Sequence, residues 1–198
     1  MSSKPTLRMD WATHAAAKYA VERWHYSRTM PVGKSVKIGA WEDGKFIGVL
    51  IFSCGASPML AHSIDVGQQE CAELTRVAMT EHATPVTRMI SIAVKILKRH
   101  SPGLRVLVSF ADTTQGHHGG IYQGGGWTYL GLSTPKKVLM HRGRQIHNRA
   151  YQGRNKKAVP KGAFWKQTPG KHKYAMGLGT DDQGRLMMLA KPYPKRAS

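Results

Sequence analysis

Acidic side chains are what this 198-residue chain has least of: 11 Asp+Glu stand against 30 Lys+Arg, a formal charge of +19. Between Asp112 and Asp181 there is no carboxylate side chain at all. Cysteine is nearly absent too. Cys54 and Cys71 could bridge each other but form no cysteine-rich framework, and their apolar flanks predict buried, reduced thiols. No apolar run approaches the roughly 18–20 residues of a membrane span, and Met1 to Met9 lacks an apolar signal core. The expectation is a cytoplasmic protein with no membrane partner. Ten histidines are present, but the spacings His-Glu-x-x-His, His-x-His and Cys-x-x-Cys are missing, so no metal motif is legible.

What is there suffices for a folded core, with 41% hydrophobic and only 21% charged residues. Its charge is unevenly spread. Residues 1–135 carry 14 basic and 9 acidic side chains, whereas residues 136–198 carry 16 and 2. Tyr151, Phe164, Trp165 and Tyr174 are interleaved with that basic run, and cations with aromatic rings grip phosphates and stack on bases. Nucleic acid is the expected partner, held by phosphate contacts, since no compact recognition motif is present. The sequence divides into a core over 1–135 and a basic continuation over 136–198 that belongs to the same globular unit and closes one side of a substrate groove.

Asp10 is placed to cap a helix running to Trp24, with Trp11, Ala15 and Tyr19 on one face and Ala12, Ala16, Ala20 and Trp24 one step round. Ser35 to Trp41 and Lys45 to Phe52 flank Glu42-Asp43-Gly44 and predict a β-hairpin. Glu73 to Met79 reads as a strand. Thr84-Pro85 then opens a helix to His100, with an apolar stripe at Val86, Met89, Ile90, Ala93, Ile96 and Leu97. Leu104 to Ala111 is an apolar run of the kind covered on both faces, ending at Asp112. A short glycine-rich helix near Tyr122 and a strand over Trp127 to Leu132 follow.

This order resembles the GCN5-related N-acetyltransferase (GNAT) fold, an α/β architecture with a mixed sheet, here extended by the basic C-terminal segment. The resemblance implies acetyl-CoA as cofactor, with its pyrophosphate at the strand Val77, Ala78, Met79 and the next helix start, and a tyrosine, here Tyr122, near the thioester sulfur. The family's glycine-rich phosphate loop is replaced by Thr80-Glu81-His82-Ala83-Thr84-Pro85. Thr84, Thr87 and Arg88 would then supply donors and charge in the first helical turn.

A closer resemblance covers residues 20 to 132. The phrases Trp24-His25-Tyr26-Ser27-Arg28, Glu73-Leu74-Thr75-Arg76-Val77-Ala78, Ser109-Phe110-Ala111-Asp112 and Gly116-His117-His118-Gly119-Gly120-Ile121-Tyr122-Gln123 are similar to the phage Mom family. That family converts adenine in double-stranded DNA to its N6-carbamoylmethyl form and protects phage DNA from restriction. The resemblance implies a transferase-like enzyme acting on double-stranded DNA. An acetyltransferase for protein or RNA, or a non-catalytic DNA-binding protein, are the alternatives.

Among candidate residues, Asp112 suits a proton acceptor or an orienting group, with a helix cap as its structural alternative. Tyr122 is expected to donate toward a thiolate or substrate, and the glycines around it suggest backbone close to a ligand. His25, Tyr26, Ser109 and His117 complete the catalytic set, with Tyr26 suited to stacking on an extruded base. Arg28, Arg76, Arg142, Arg144, Arg149, Arg154, Lys156 and Lys157 are the expected DNA contacts. Glu73 and Arg76, three apart, share a face only if their strand bulges. Joining adenine nitrogen to the former methyl carbon of an acetyl thioester requires oxidation or a different donor. A redox metal such as iron is one solution, with His117-His118 near Asp112 as the best cluster. Oligomeric state is left open, a homodimer included.

Overall fold

The computed structural model describes residues 4–54, 59–146, 151 and 158–195. Its hairpin follows directly from local chemistry. Strands β2 (Ser35–Glu42) and β3 (Lys45–Ser53) are joined by Asp43 and Gly44, both at positive φ (49° and 80°), the two-residue turn whose twist matches its strands. On the outer side of β2 lies β1 (Leu7–Trp11), antiparallel to it. This strand occupies the residues expected to begin the first helix. Helix α1 (His14–Trp24) is capped instead by Thr13, whose hydroxyl accepts from the Ala16 N–H at 3.2 Å, and its buried face is Ala17, Ala20 and Val21 while Tyr19 is exposed. Of the expected face, Ala20 is buried and Ala12 and Trp24 pack against the same cluster, whereas Trp11, Ala15 and Tyr19 are exposed, because in an alanine-rich segment the periodic signal does not fix which edge of the stripe is covered.

Beyond β3 come a helical turn α2 (Met59–His62), strand β4 (Cys71–Met79), helix α3 (Val86–His100) and strand β5 (Val106–Ala111). The α3 stripe is that of the sequence pattern: Met89, Ile90, Ala93 and Leu97 are buried, joined by Val94. A short α4 (Gly120–Gln123) precedes β6 (Thr128–Leu132). The basic continuation folds into β7 (Lys136–His141), β8 (Arg144–Ile146), β9 (Phe164–Thr168), β10 (His172–Gly177) and α5 (Thr180–Met188).

Among the described residues the main sheet has the order β1-β2-β3-β4-β5-β10-β6, antiparallel except for the β4/β5 pair, and β8-β7-β9 form a separate small sheet. Strand β10 therefore runs inside the sheet, between β5 and β6. The sheet crosses the expected boundary at residue 135, because the last third supplies one of its interior strands. One face packs under α3 through Ile38, Leu50, Phe52, Leu107 and Trp127. The other is covered by α1 over Val49, Ile51 and Ala78, and by α2 and α5 over Cys71, Val106, Val108 and Ala175. Cys71 is buried, which pushes its thiol up to about 11. Cys54 is exposed at the end of the hairpin, contrary to expectation.

Strand β4 carries the irregularity that shapes the rest. Arg76 pairs with Ile51 but Leu74 with Phe52, so Thr75 is an extra residue in the ladder, a β-bulge. Leu74 faces the α3 side and Ala78 the α1 side, which puts Glu73 and Arg76 on the same face after all. Pairing with β5 covers Cys71 to Leu74 against Val106 to Ser109 and stops at the bulge, after which the two parallel strands diverge.

Candidate active site

The gap between β4 and β5 opens into a cavity of about 770 Å³ lined by Thr75, Val77, Met79, Phe110, Ala111 and Tyr122, with His25, Tyr26, His117 and His118 at one end. Val86, at the start of α3, also lines it. Val77 and Met79 both line the cavity. Ala78 does not: it is fully buried beneath α1. Strand alternation alone accounts for this.

At the polar end Asp112 is nearly buried, and both carboxylate oxygens are occupied. Oδ1 accepts from the Thr114 N–H (3.0 Å) and hydroxyl (2.6 Å), capping the turn 113–115. Oδ2 accepts from the Tyr26 hydroxyl (3.2 Å) and pairs with Lys171 Nζ (2.6 Å). The helix-cap alternative for Asp112 is thus present in the fold. Burial pushes the Asp112 carboxyl up, but the hydrogen bonds from Lys171 and Thr114 and the lysine charge outweigh it and hold the group below the usual range.

Tyr26, brought in by the segment after α1, lies between two imidazoles. The His25 ring stacks on it at 4.4 Å, and His117 meets it edge-on at 5.7 Å. One face of the Tyr26 ring is therefore already covered. Burial and the Asp112 charge push its phenol up to about 12, so it acts as a proton-bearing donor at ordinary pH. His25 is not a free base. Its Nδ1 accepts from the backbone N–H of Ser27 (3.1 Å), leaving the proton on Nε2, and burial together with the charges of Arg76, His117 and Lys171 lowers it to about 4.

Ser109 and Tyr122 form a separate buried pair. Ser109 Oγ lies 2.9 Å from the Leu74 carbonyl, which can only accept, and 2.7 Å from the Tyr122 hydroxyl. The serine's single proton goes to Leu74, so Tyr122 donates to Ser109. The expected thioester donor thus lines the cavity with its proton already committed, and burial pushes its phenol up to about 12. The neighbouring Gly116, Gly119 and Gly120 line the cavity as well. Gly119, at φ +86°, lies against the Tyr174 ring, whose hydroxyl donates to the His118 carbonyl and locks the segment before α4.

The start of α3 departs furthest from expectation. Thr84 does not cap the helix. Its N–H (2.8 Å) and hydroxyl (2.6 Å), with the Ala83 N–H (2.9 Å), all donate to the Glu42 carboxylate at the end of β2. Thr87 lies near Gly124, the residue after α4, and Arg88 is exposed in the first turn of α3. For CoA the fit is therefore divided. The apolar gap suits an extended thioester arm, while the amides expected to receive a pyrophosphate already hold a carboxylate, and Pro85 has no N–H to offer.

Of the expected DNA contacts, Arg28 is exposed after α1 at φ 48°, and Arg76 bonds the Thr29 carbonyl (3.0 Å), fixing the segment that carries Tyr26. Arg142 is exposed in the β7/β8 turn. Arg149, Arg154, Lys156, Lys157 and the Arg144 side chain lie outside the described residues. Among the described residues no three His, Cys, Asp or Glu side chains gather as a metal-binding group, so no ligand set can be named for iron. No helix among them is long and apolar enough to cross a membrane.

Solved structures share this architecture at low identity. A Bacillus subtilis acetyltransferase in complex with CoA aligns with a TM-score of 0.51 at 10% identity, over 89% of this chain and all of that one. YncA of Salmonella typhimurium, solved with its cofactor acetyl-CoA, gives 0.51 at 11% identity over 88% and 95%. FeeM, an N-acyl amino acid synthase from uncultured soil microbes, gives 0.52 at 13% over 88% and 91%. The fold is a GNAT-like α/β mixed sheet. The family comparison is decisive for kinship: residues 6–195 match the model of the Mom protein family. The chain belongs to that family. A curated Mom relative, methylcarbamoylase Mom of Escherichia phage Mu, is 23% identical over 129 residues, 63% of this chain and 54% of that protein. The match spans about half of that relative's length.

Two polar residues of the site escaped the sequence reading. Lys171 gave no signal within a long basic run; only the β5/β10 register, with His172 opposite Ala111, sets it opposite Asp112. Glu42 read as part of a hairpin turn, and nothing local announced its hydrogen bonds to residues 83 and 84.

Proposed function

We propose that this Mom-family protein is a transferase that converts adenine in double-stranded DNA to its N6-carbamoylmethyl form and so shields phage DNA from restriction inside the host cell. The observation that carries the reading is the convergence of Tyr26, from the segment after α1, with Asp112 and His117, from the turn after β5, beside the cavity between β4 and β5. The exocyclic nitrogen of adenine is a poor nucleophile and must lose a proton as its new C–N bond forms. Asp112, ionised and adjoining the cavity, accepts that proton, while Tyr26 orients the carboxylate by hydrogen bonding to Oδ2. The target base has to leave its duplex for N6 to reach Asp112. Phosphates of the bound DNA are held by the basic continuation, in which 16 cations outnumber 2 carboxylates.

For the donor, acetyl-CoA is the cofactor that the fold suggests. Val77, Met79, Ala111 and Tyr122 would flank its thioester arm. Direct acyl transfer from it would leave an N6-acetyl group, whereas a carbamoylmethyl product needs its new bond at the carbon next to the carbonyl. From acetyl-CoA, bond formation at that carbon would need a two-electron oxidant and the amide would need ammonia to displace the CoA thiol, whereas a donor that already carries the CH2–CO–NH2 unit on a leaving group would need neither.

Nucleosides from DNA of cells expressing the protein, analysed by mass spectrometry, test the reading. Carbamoylmethylated adenine is the expected product. Unmodified DNA alongside soluble, folded protein overturns it, and acetylated protein or RNA would then identify the alternative transferase.

A further inference from the structure

We propose that Lys171 is a positioning residue for the Asp112 carboxylate, which makes the active site incomplete without the C-terminal third of the chain. The role of Asp112 as base rests on the function proposed above; the electrostatic coupling itself does not.

The backbone around Lys171 is held from several directions. Its N–H donates to the Ser133 hydroxyl (2.9 Å), its carbonyl accepts from the Ser133 N–H (2.8 Å), and the preceding Gly170 carbonyl accepts from the Thr113 hydroxyl (2.9 Å). A side chain at Gly170 would run into the Ser133 carbonyl. Thr113 is the residue after Asp112, so the same contacts that fix Lys171 tie it to the turn Asp112 caps. Strand register does the rest. With His172 opposite Ala111, Lys171 falls opposite Asp112, and its ammonium reaches Oδ2 at 2.6 Å.

The pairing is unequal in exposure: the lysine side chain is 46% exposed and the aspartate side chain 9%. A nearly buried carboxylate tends to take up a proton, which would abolish it as a base. Four donors oppose this, from Thr114, Tyr26 and Lys171, and among the described residues only Lys171 brings a full positive charge within contact distance. The other titratable groups facing this corner are Tyr26 and His25 from the segment after α1, His117 from the turn after β5, and Arg76 on β4. Tyr26 and His25 are neutral at ordinary pH, Arg76 is directed to the Thr29 and Thr75 carbonyls, and the His117 ring meets Tyr26 edge-on. Lys171 therefore both charges Asp112 and aims its Oδ2.

The test compares wild type with Lys171→Met and Lys171→Arg. First, the Asp112 carboxyl is titrated by carbon-detected NMR in protein without DNA. It should titrate at higher pH in K171M and return toward the wild-type value in K171R. Second, the pH profile of adenine modification should move its acid limb upward in K171M by the same interval, each unit costing about tenfold in rate on the acid side, with rescue by K171R. An Asp112 titration unchanged in folded K171M overturns the proposal, as does an upward shift that K171R fails to reverse. If the titration moves as stated while no variant modifies adenine, the coupling stands and the reading of function is what fails.

Discussion

Gly119→Ala separates a conformational requirement from a packing one. The residue sits at φ +86°, where an L side chain costs about 1–2 kcal/mol. Its added Cβ would also stand 2.6 Å from Tyr174 Cζ and 2.7 Å from Tyr174 Oη. Tyr174 is fully buried in β10, between rings of Tyr122 and Tyr129 at 5.3 and 5.1 Å, so it cannot swing aside, and overpacking of this kind costs about 1–3 kcal/mol. Stiffening of the unfolded chain offsets about 0.4–1 kcal/mol. The net destabilisation is about 1–4.6 kcal/mol, or roughly 2–18 °C in Tm for a chain of this size. Gly116 is the internal control: its φ is +67°, but a Cβ there meets nothing within 4 Å, so Gly116→Ala bears the conformational cost alone, net about 1 kcal/mol. Urea unfolding followed by far-UV circular dichroism measures both. Equal losses in the two variants, within about 0.5 kcal/mol, would refute the claim that Tyr174 is what excludes a side chain at Gly119.

Asp112→Asn keeps the shape of the cap but removes the base, so adenine modification should vanish with DNA affinity nearly unchanged, read by nucleoside mass spectrometry and a filter-binding assay; a parental rate in the folded variant would make Asp112 purely structural. With Glu42 on the amides ahead of α3, CoA should bind wild type no more tightly than pantetheine does by calorimetry, and Glu42→Gln should strengthen CoA alone; a preference of about tenfold or more for CoA in wild type contradicts the assignment. His25 stays neutral in the fold down to about 4, so the unfolded chain binds the extra proton first as pH falls below 6.5. Its contribution is complete above 6.5 and is lost progressively between 6.5 and about 4. His25→Asn, which preserves an acceptor for Ser27, should show a shallower loss of stability over that window, and an identical slope would sink the assignment.

Local signals carried the regular elements because each is settled by neighbours in sequence. Asp43-Gly44 demands a tight turn whatever surrounds it, and the stripe Met89, Ile90, Ala93 and Leu97 seeks one apolar surface. The motifs near Tyr26, Asp112 and Tyr122 were likewise legible as residues of interest. Their hydrogen bonds were not. Donor and acceptor assignments depend on which strand lies beside which, and strand order is a property of the whole sheet. The insertion of β10 between β5 and β6 puts Lys171 on Asp112 and Tyr174 against Gly119, contacts spanning more than fifty positions with no local mark. The bulge at Thr75 places Glu73 and Arg76 on one face and ends the β4/β5 pairing where the cavity opens. Sequence by itself determined the elements from α1 to β6, the charge asymmetry and the kinship, but not β1, α2 or the strands and helix of the last third. Tertiary structure alone decided which polar groups are occupied, because a buried donor or acceptor is satisfied by whatever the completed packing brings within about 3 Å.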